Sequence, residues 1–124
     1  MREILFRGKR TDNGEWVEGD IHKNTEFSKS HIHPNGERVM SFDVIPETVG
    51  QYTGLVDKNG VRIFEGDIVK AFTRYGTEHQ YAITYRAGTF WFGGWNWVEF
   101  LDRFQFPEVI GNIHDNPELM KGGE

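Results

Sequence analysis

The chain has 124 residues, enough for one compact domain with a real core and too few for two full ones. Its formal net charge of −5 argues against a binder of phosphate backbones, whose affinity comes from many Lys and Arg. It contains no Cys, which excludes disulfides, thiolate metal ligands and Cys nucleophiles and fits a reducing compartment. Met1 leads through Arg2 and Glu3 into a short alternating run, with no long apolar stretch, so a soluble, cytoplasmic protein without signal peptide or membrane span is expected.

Aromatic and β-branched residues come in short runs separated by Gly, of which there are fifteen, a pattern of strands joined by turns. Glu3 to Lys9 is the first predicted strand and Glu15 to Lys23 the second, with Asp12-Asn13-Gly14 as the hairpin turn. Asn24 to Ser30 reads as a loop. Ser30 to His33 and Glu37 to Val44 flank Pro34-Asn35-Gly36 as a second hairpin, which Ile45-Pro46 ends because Pro cannot donate to a ladder. Thr48 to Thr53 is a further strand, and Asp57-Lys58-Asn59-Gly60 turns the chain into Val61 to Phe64. Glu65-Gly66-Asp67-Ile68 then echoes Glu18-Gly19-Asp20-Ile21, which reads as two β-turns built from the same chemistry rather than as a duplication.

The densest region runs from Gln80 to Leu101. Tyr81, Ile83 and Tyr85 alternate, and Gly93-Gly94 separates two aromatic runs. A two-residue turn there sets Phe92 opposite Trp95 and Phe90 opposite Trp97 on one face, leaving Trp91, Val98 and Phe100 on the other. Both faces are then apolar, so the second needs a cover, and Trp91, Val98 and Phe100 are the predicted interface, with a second copy of the chain as one partner. Glu108 to Ile113 closes as a strand, and Asp115-Asn116-Pro117-Glu118 announces a short helical turn. Phe104 to Pro107 has no assigned place.

Chemical constellations are sparse. His31-x-His33 has metal-like spacing, but the expected hairpin sets Arg38 opposite His33 and Met40 opposite His31, putting a fixed cation where a third ligand is wanted, so no metal is expected. The serines stand in no nucleophile elbow, and H-E-x-x-H, P-loop and dinucleotide fingerprints are missing. Glu65 and Asp67 are the one carboxylate pair suited to a small hydrolase, and their turn context argues against that use. Arg2, Arg7, Lys9 and Arg10 crowd the first ten residues; a solvated strand face accounts for them, and a nucleic-acid patch working with exposed aromatics is the alternative.

Val44-Ile45-Pro46-Glu47-Thr48-Val49-Gly50-Gln51-Tyr52-Thr53-Gly54-Leu55, followed by Asp57-Lys58-Asn59-Gly60 and Phe64-Glu65-Gly66-Asp67-Ile68-Val69, resembles the signature of the YopX family. The opening Phe6-Arg7-Gly8-Lys9-Arg10 with Gly14 to Asp20, and the ending Val109 to Ile113 with Asn116 to Leu119, resemble the same family's ends. Ala71 to Phe106 lies outside the likeness. The resemblance implies a phage or prophage origin, a mainly β fold and no established activity or catalytic residues. The run at Glu65 to Val69 also looks like the opening of an SH3-like barrel. The expectation is therefore a mainly β chain over residues 1–124, either a small barrel or packed hairpins in two subdomains (about 1–45 and 46–119), with a short C-terminal helical turn. It is expected to be a non-catalytic accessory protein without cofactor, acting through contacts with itself or another protein and not with membranes.

Overall fold

The computed structural model describes residues 4–24, 29–34 and 42–120, with backbone alone at 21–24, 29–31, 33 and 34. The chain is mainly β, and it divides into two compact units, Met1–Gly54 and Leu55–Glu124.

β1 (Phe6–Lys9), β2 (Trp16–Asn24), β3 (Lys29–Pro34) and β4 (Phe42–Val44) of the first unit, with β5 (Gly50–Val56), which runs past its end at Gly54, follow the order β4-β3-β2-β1-β5 within a six-stranded sheet. The first hairpin forms where its turn chemistry predicts, with Lys9 opposite Trp16 and Gly14 at φ +74°. The second takes another register. Ser30 pairs with Val44 and Ile32 with Phe42, three residues away from what a two-residue turn at Asn35-Gly36 sets. An odd shift exchanges the faces of β4, and this one places Phe42 and Val44 on the side of buried Ile32, where the expected register would have turned Asp43 inward. The turn, with Arg38 and Met40, lies outside the described residues.

Thr48 does not start a strand. Pro46 fixes its own φ and opens a 3-10 turn, Pro46–Thr48, whose buried Thr48 hydroxyl accepts from Lys9 N at 2.9 Å and donates to Ile45 O at 2.6 Å. These bonds tie the turn to β1. The end of β1 also meets β4, through an Arg10–Val44 bridge and an Ile45 N to Lys9 O bond of 2.8 Å. Among the described residues, Leu5, Ile32, Val44 and Tyr52 are the buried apolar ones of this unit.

The second unit contains β6 (Arg62–Phe64), β7 (Asp67–Thr73), β8 (Glu78–Arg86), β9 (Thr89–Phe92), β10 (Trp95–Asn96), helix α1 (Trp97–Arg103), β11 (Phe104–Asn112) and a 3-10 turn at Pro117–Met120. Five of these strands pair in the order β10-β9-β8-β7-β11, which leaves two ends and does not close a barrel. Phe90, Phe92, Trp97, Phe100 and Phe104 pack with Ile63, Val69, Ala71 and Ile83 in one buried core.

The aromatic hairpin differs from its expected form after Trp95. Phe92 pairs with Trp95 as predicted, but at Trp97 the chain becomes helical. Asn96 Oδ1 accepts from Glu99 N at 2.9 Å and the Glu99 carboxylate accepts from Asn96 N at 3.1 Å, a capping box that satisfies free amides at both positions. Helical spacing then puts Trp97, Phe100 and Phe104 on one side. Their rings stack, Trp97 on Phe100 at 4.9 Å and Phe100 on Phe104 at 5.7 Å.

The echoed tetrapeptides adopt unlike backbones. Glu18-Gly19-Asp20 lies inside β2, not in a turn, whereas Glu65-Gly66 turns β6 into β7 with Gly66 at φ +94°, a conformation that favours Gly. Gly66 N donates to Ile83 O and its carbonyl accepts from Ile113 N, so this turn is bonded to β8 and to the residue after β11.

Side-chain clasps hold the rest of β11. Asp57 is buried at 5 % exposure, and its carboxylate accepts from Asn59 N at 2.8 Å, Val61 N at 2.9 Å and Val109 N at 3.0 Å. Lys58 N donates to Pro107 O, which seats the same turn on a bulge of β11 where Phe106 stands at φ +57°. Bulge, Pro107 and clasp together block pairing along this edge. Further on, Asn112 Oδ1 accepts from His114 N and Asp115 N, and Gln80 Nε2 donates to Leu119 O at 3.0 Å, fixing the last turn on β8.

Candidate functional site

The predicted interface is not assembled. Phe100 is buried at 2 % exposure in the core, and Val98 is 77 % exposed on the outer side of α1. Trp91 does face away from Phe90 and Phe92 on β9, but Arg86 covers it: the guanidinium lies 3.8 Å from the ring centre and the indole N–H donates to Arg86 O at 3.0 Å. A strand would have grouped Trp91, Val98 and Phe100; the helix separates them.

The basic N-terminal strand is engaged within its own unit. Arg7 and Lys9 lie 4.6 and 6.0 Å from the Trp16 ring centre. Arg10 donates twice to Asp12, from Nε to Oδ1 at 3.0 Å and from Nη2 to Oδ2 at 2.6 Å, and lies 4.1 Å from the Phe42 ring centre. The Arg10 hydrogen bond holds the exposed Asp12 carboxyl below its ordinary value, against a smaller opposing effect of desolvation. Arg2 lies outside the described residues. These contacts match a solvated strand face better than a phosphate-binding row.

Asp67 is 1 % exposed, and its Oδ2 accepts from Phe64 N at 2.7 Å, closing the β6–β7 turn. His31 pairs in backbone register with His22, and His33 with Asp20, but their side chains lie outside the described residues. Among the described residues no cluster of three His, Asp or Glu is placed to hold a metal, and no helix is long and apolar enough to cross a membrane.

A cleft of about 340 Å³ opens instead within the second unit, between residues 73–75 at the end of β7, Trp95 of β10, and residues 102–104 at the junction of α1 and β11. Tyr75 is 84 % exposed, with the Arg74 guanidinium 5.4 Å from its ring centre. Trp95 meets His79 and Phe104 edge-on at 5.2 and 5.0 Å, which fixes its plane. Its indole N–H makes no hydrogen bond among the described residues and is not buried, so it reaches solvent. Arg103 ends α1, where a cation also complements the helix dipole. Neither Arg74 nor Arg103 forms an ion pair among the described residues. The cleft thus presents two guanidiniums, an exposed phenol ring and a free indole donor beside the single carboxylate of Asp102.

Sequence reasoning missed this site because its parts come from three separate segments. Arg74-Tyr75-Gly76, a charged and aromatic pair ahead of a turn glycine, was the one local signal.

Two open antiparallel sheets, one capped helix and a set of Asp and Asn clasps define an all-β protein whose recurrent turn residues serve the scaffold. The chain belongs to the YopX family: the family model described as YopX protein matches residues 5–121. It is similar to protein EF1440 from Enterococcus faecalis, known from a crystal structure, with 29% identity and a TM-score of 0.61 over 98% of this chain and 100% of that one. No curated protein matches it. Among the residues that carry the family resemblance, Thr48, Asp57, Gly66, Asp67 and Asn112 hold turns and strands together. The cleft lies in the stretch from Ala71 to Phe106, where the sequence offered no quotable motif although the family model spans it.

Proposed function

We propose that this protein is a non-catalytic accessory protein, encoded by a phage or prophage and working in the bacterial cytoplasm, which acts by contact with another protein at the cleft of the second unit. The observation that carries this reading is the composition of the cleft: Arg74, Tyr75, Trp95 and Arg103 are of the residue types that dominate protein–protein hot spots, and they surround one concavity. Family membership and the net charge of −5 suit a contact protein of phage origin. The SH3-like likeness read at Glu65 to Val69 falls on the β6–β7 turn of the second unit, where the tight Gly66 turn into buried Ile68 and Val69 suits it and the open order of the sheet weighs against it.

Binding of single-stranded nucleic acid is the second reading, favoured by exposed Tyr75 beside two arginines. Overall charge and the internal engagement of the N-terminal cations weigh against it. Self-association has less support, since the second arm of the doubly apolar hairpin that motivated it turns helical at Trp97.

Selection of displayed peptides on the wild-type protein, repeated on Tyr75→Ala and Arg103→Glu, tests the proposal. Selected peptides are expected to lose at least tenfold in affinity on both variants. Peptides indifferent to both substitutions, or a salt-sensitive gel shift with single-stranded DNA abolished by them, overturn it.

A further inference from the structure

Resting on the reading of the cleft as a protein-contact site, we infer that its occupant is an acidic segment of the partner, seated by a carboxylate between Arg74 and Arg103 with an aromatic neighbour against Tyr75. Guanidinium groups bind carboxylates through paired, charge-assisted donors, and here two of them border one concavity without an ion-pair partner among the described residues. Asp102 precedes Arg103 in the same lining yet forms no ion pair with either arginine among the described residues, so the cleft keeps a positive balance. Two fixed positive charges and one negative suit a monovalent carboxylate, and the carboxylate of Asp102 disfavours a phosphate dianion more strongly.

The aromatic part of the occupant follows from the rings. Tyr75 is 84 % exposed, with Arg74 over one side, which leaves most of its ring surface without a protein neighbour. Trp95 is held rigid by His79 and Phe104 and offers its indole N–H to solvent, a donor ready for a backbone carbonyl of an extended peptide. The volume of about 340 Å³ lies at the lower end of ligand pockets, suited to a few side chains and not to a folded surface. The overall charge of −5 adds selectivity: a long polyanion is repelled by the rest of the protein while a short acidic segment is not.

The experiment is an NMR titration of the full chain with two probes, acetyl-Asp-Phe-Asp-amide and its neutral analogue acetyl-Asn-Phe-Asn-amide, following the indole N–H signal assigned by Trp95→Phe. The acidic probe is expected to shift that signal saturably at millimolar concentration, with the neutral probe at least tenfold weaker. Arg74→Gln and Arg103→Gln, both at the surface, are each expected to remove that tenfold preference while the spectrum stays dispersed. Equal affinities for the two probes overturn the carboxylate assignment and leave the protein-contact reading standing. A response to oligothymidylate alone, fading as salt is raised, overturns both.

Discussion

Removing the Asp57 carboxylate is expected to destabilise the second unit more than any other single surface-turn substitution. The side chain accepts three backbone donors, from Asn59, Val61 and Val109. Asn59 and Val61 lie in an exposed turn, where water replaces the lost bonds. Val109 sits in β11 fifty-two residues away and is only partly accessible, so its amide bears most of the loss. With hydrogen bonds to a charged group contributing about 1.5–3 kcal/mol each and two of the three softened by water, Asp57→Ala is expected to cost about 2–4 kcal/mol. For a unit of this size that lowers the thermal midpoint by roughly 10–20 °C, read by tryptophan fluorescence. Asp57→Asn keeps one acceptor oxygen and is expected to lie between the two.

The same carboxylate has an acid signature. Burial raises its pKa, but the amides of Val109, Val61 and Asn59, with Lys58 nearby, outweigh that and hold it below the ordinary value of 3.8. A depressed folded-state pKa contributes stability that is present above the unfolded value and lost as pH falls through the folded one. The acid-side decline below about pH 4 is therefore expected to be shallower in Asp57→Asn than in wild type. An Asp57→Ala protein within about 0.5 kcal/mol of wild type would refute the clasp argument.

Gly8→Ala places a Cβ 2.9 Å from Val44 Cβ, so β1 and β4 must separate, and urea unfolding of the first unit is expected to show a loss of about 1–3 kcal/mol. Phe92→Ala, in contact with the rings of Tyr81, Phe100 and Phe104, is expected to cost about 3–5 kcal/mol by the same assay. Asn96→Ala opens the capping box of α1 for about 1 kcal/mol, a loss that Asn96→Ser largely restores. Val98→Ser, on the exposed side of α1, is expected to stay within about 0.5 kcal/mol of wild type and to leave the mass by light scattering unchanged. A change of mass there would revive the interface first read from the sequence.

What the sequence determined by itself is local. Asn13-Gly14 and Asn59-Gly60 set tight turns because Gly accepts positive φ, and the alternation of Phe90 and Phe92 with Trp91 separated the two faces of β9 without deciding which one is core. Asp57, Gly66 and Asn116-Pro117 marked turns that the structure contains, although their service to distant strands was not legible. Tertiary context decided the rest. Trp95 to Leu101 reads as a strand by composition, yet stacking Trp97, Phe100 and Phe104 in one core requires helical spacing, and the Asn96–Glu99 box starts it. The register of β4 follows from burying Val44 beside Ile32, not from the dipeptide at the turn. The cleft lay beyond sequence reading because Arg74, Trp95 and Arg103 converge only when β7, β10 and the end of α1 meet around a shared core, and periodicity along one segment carries no record of that meeting.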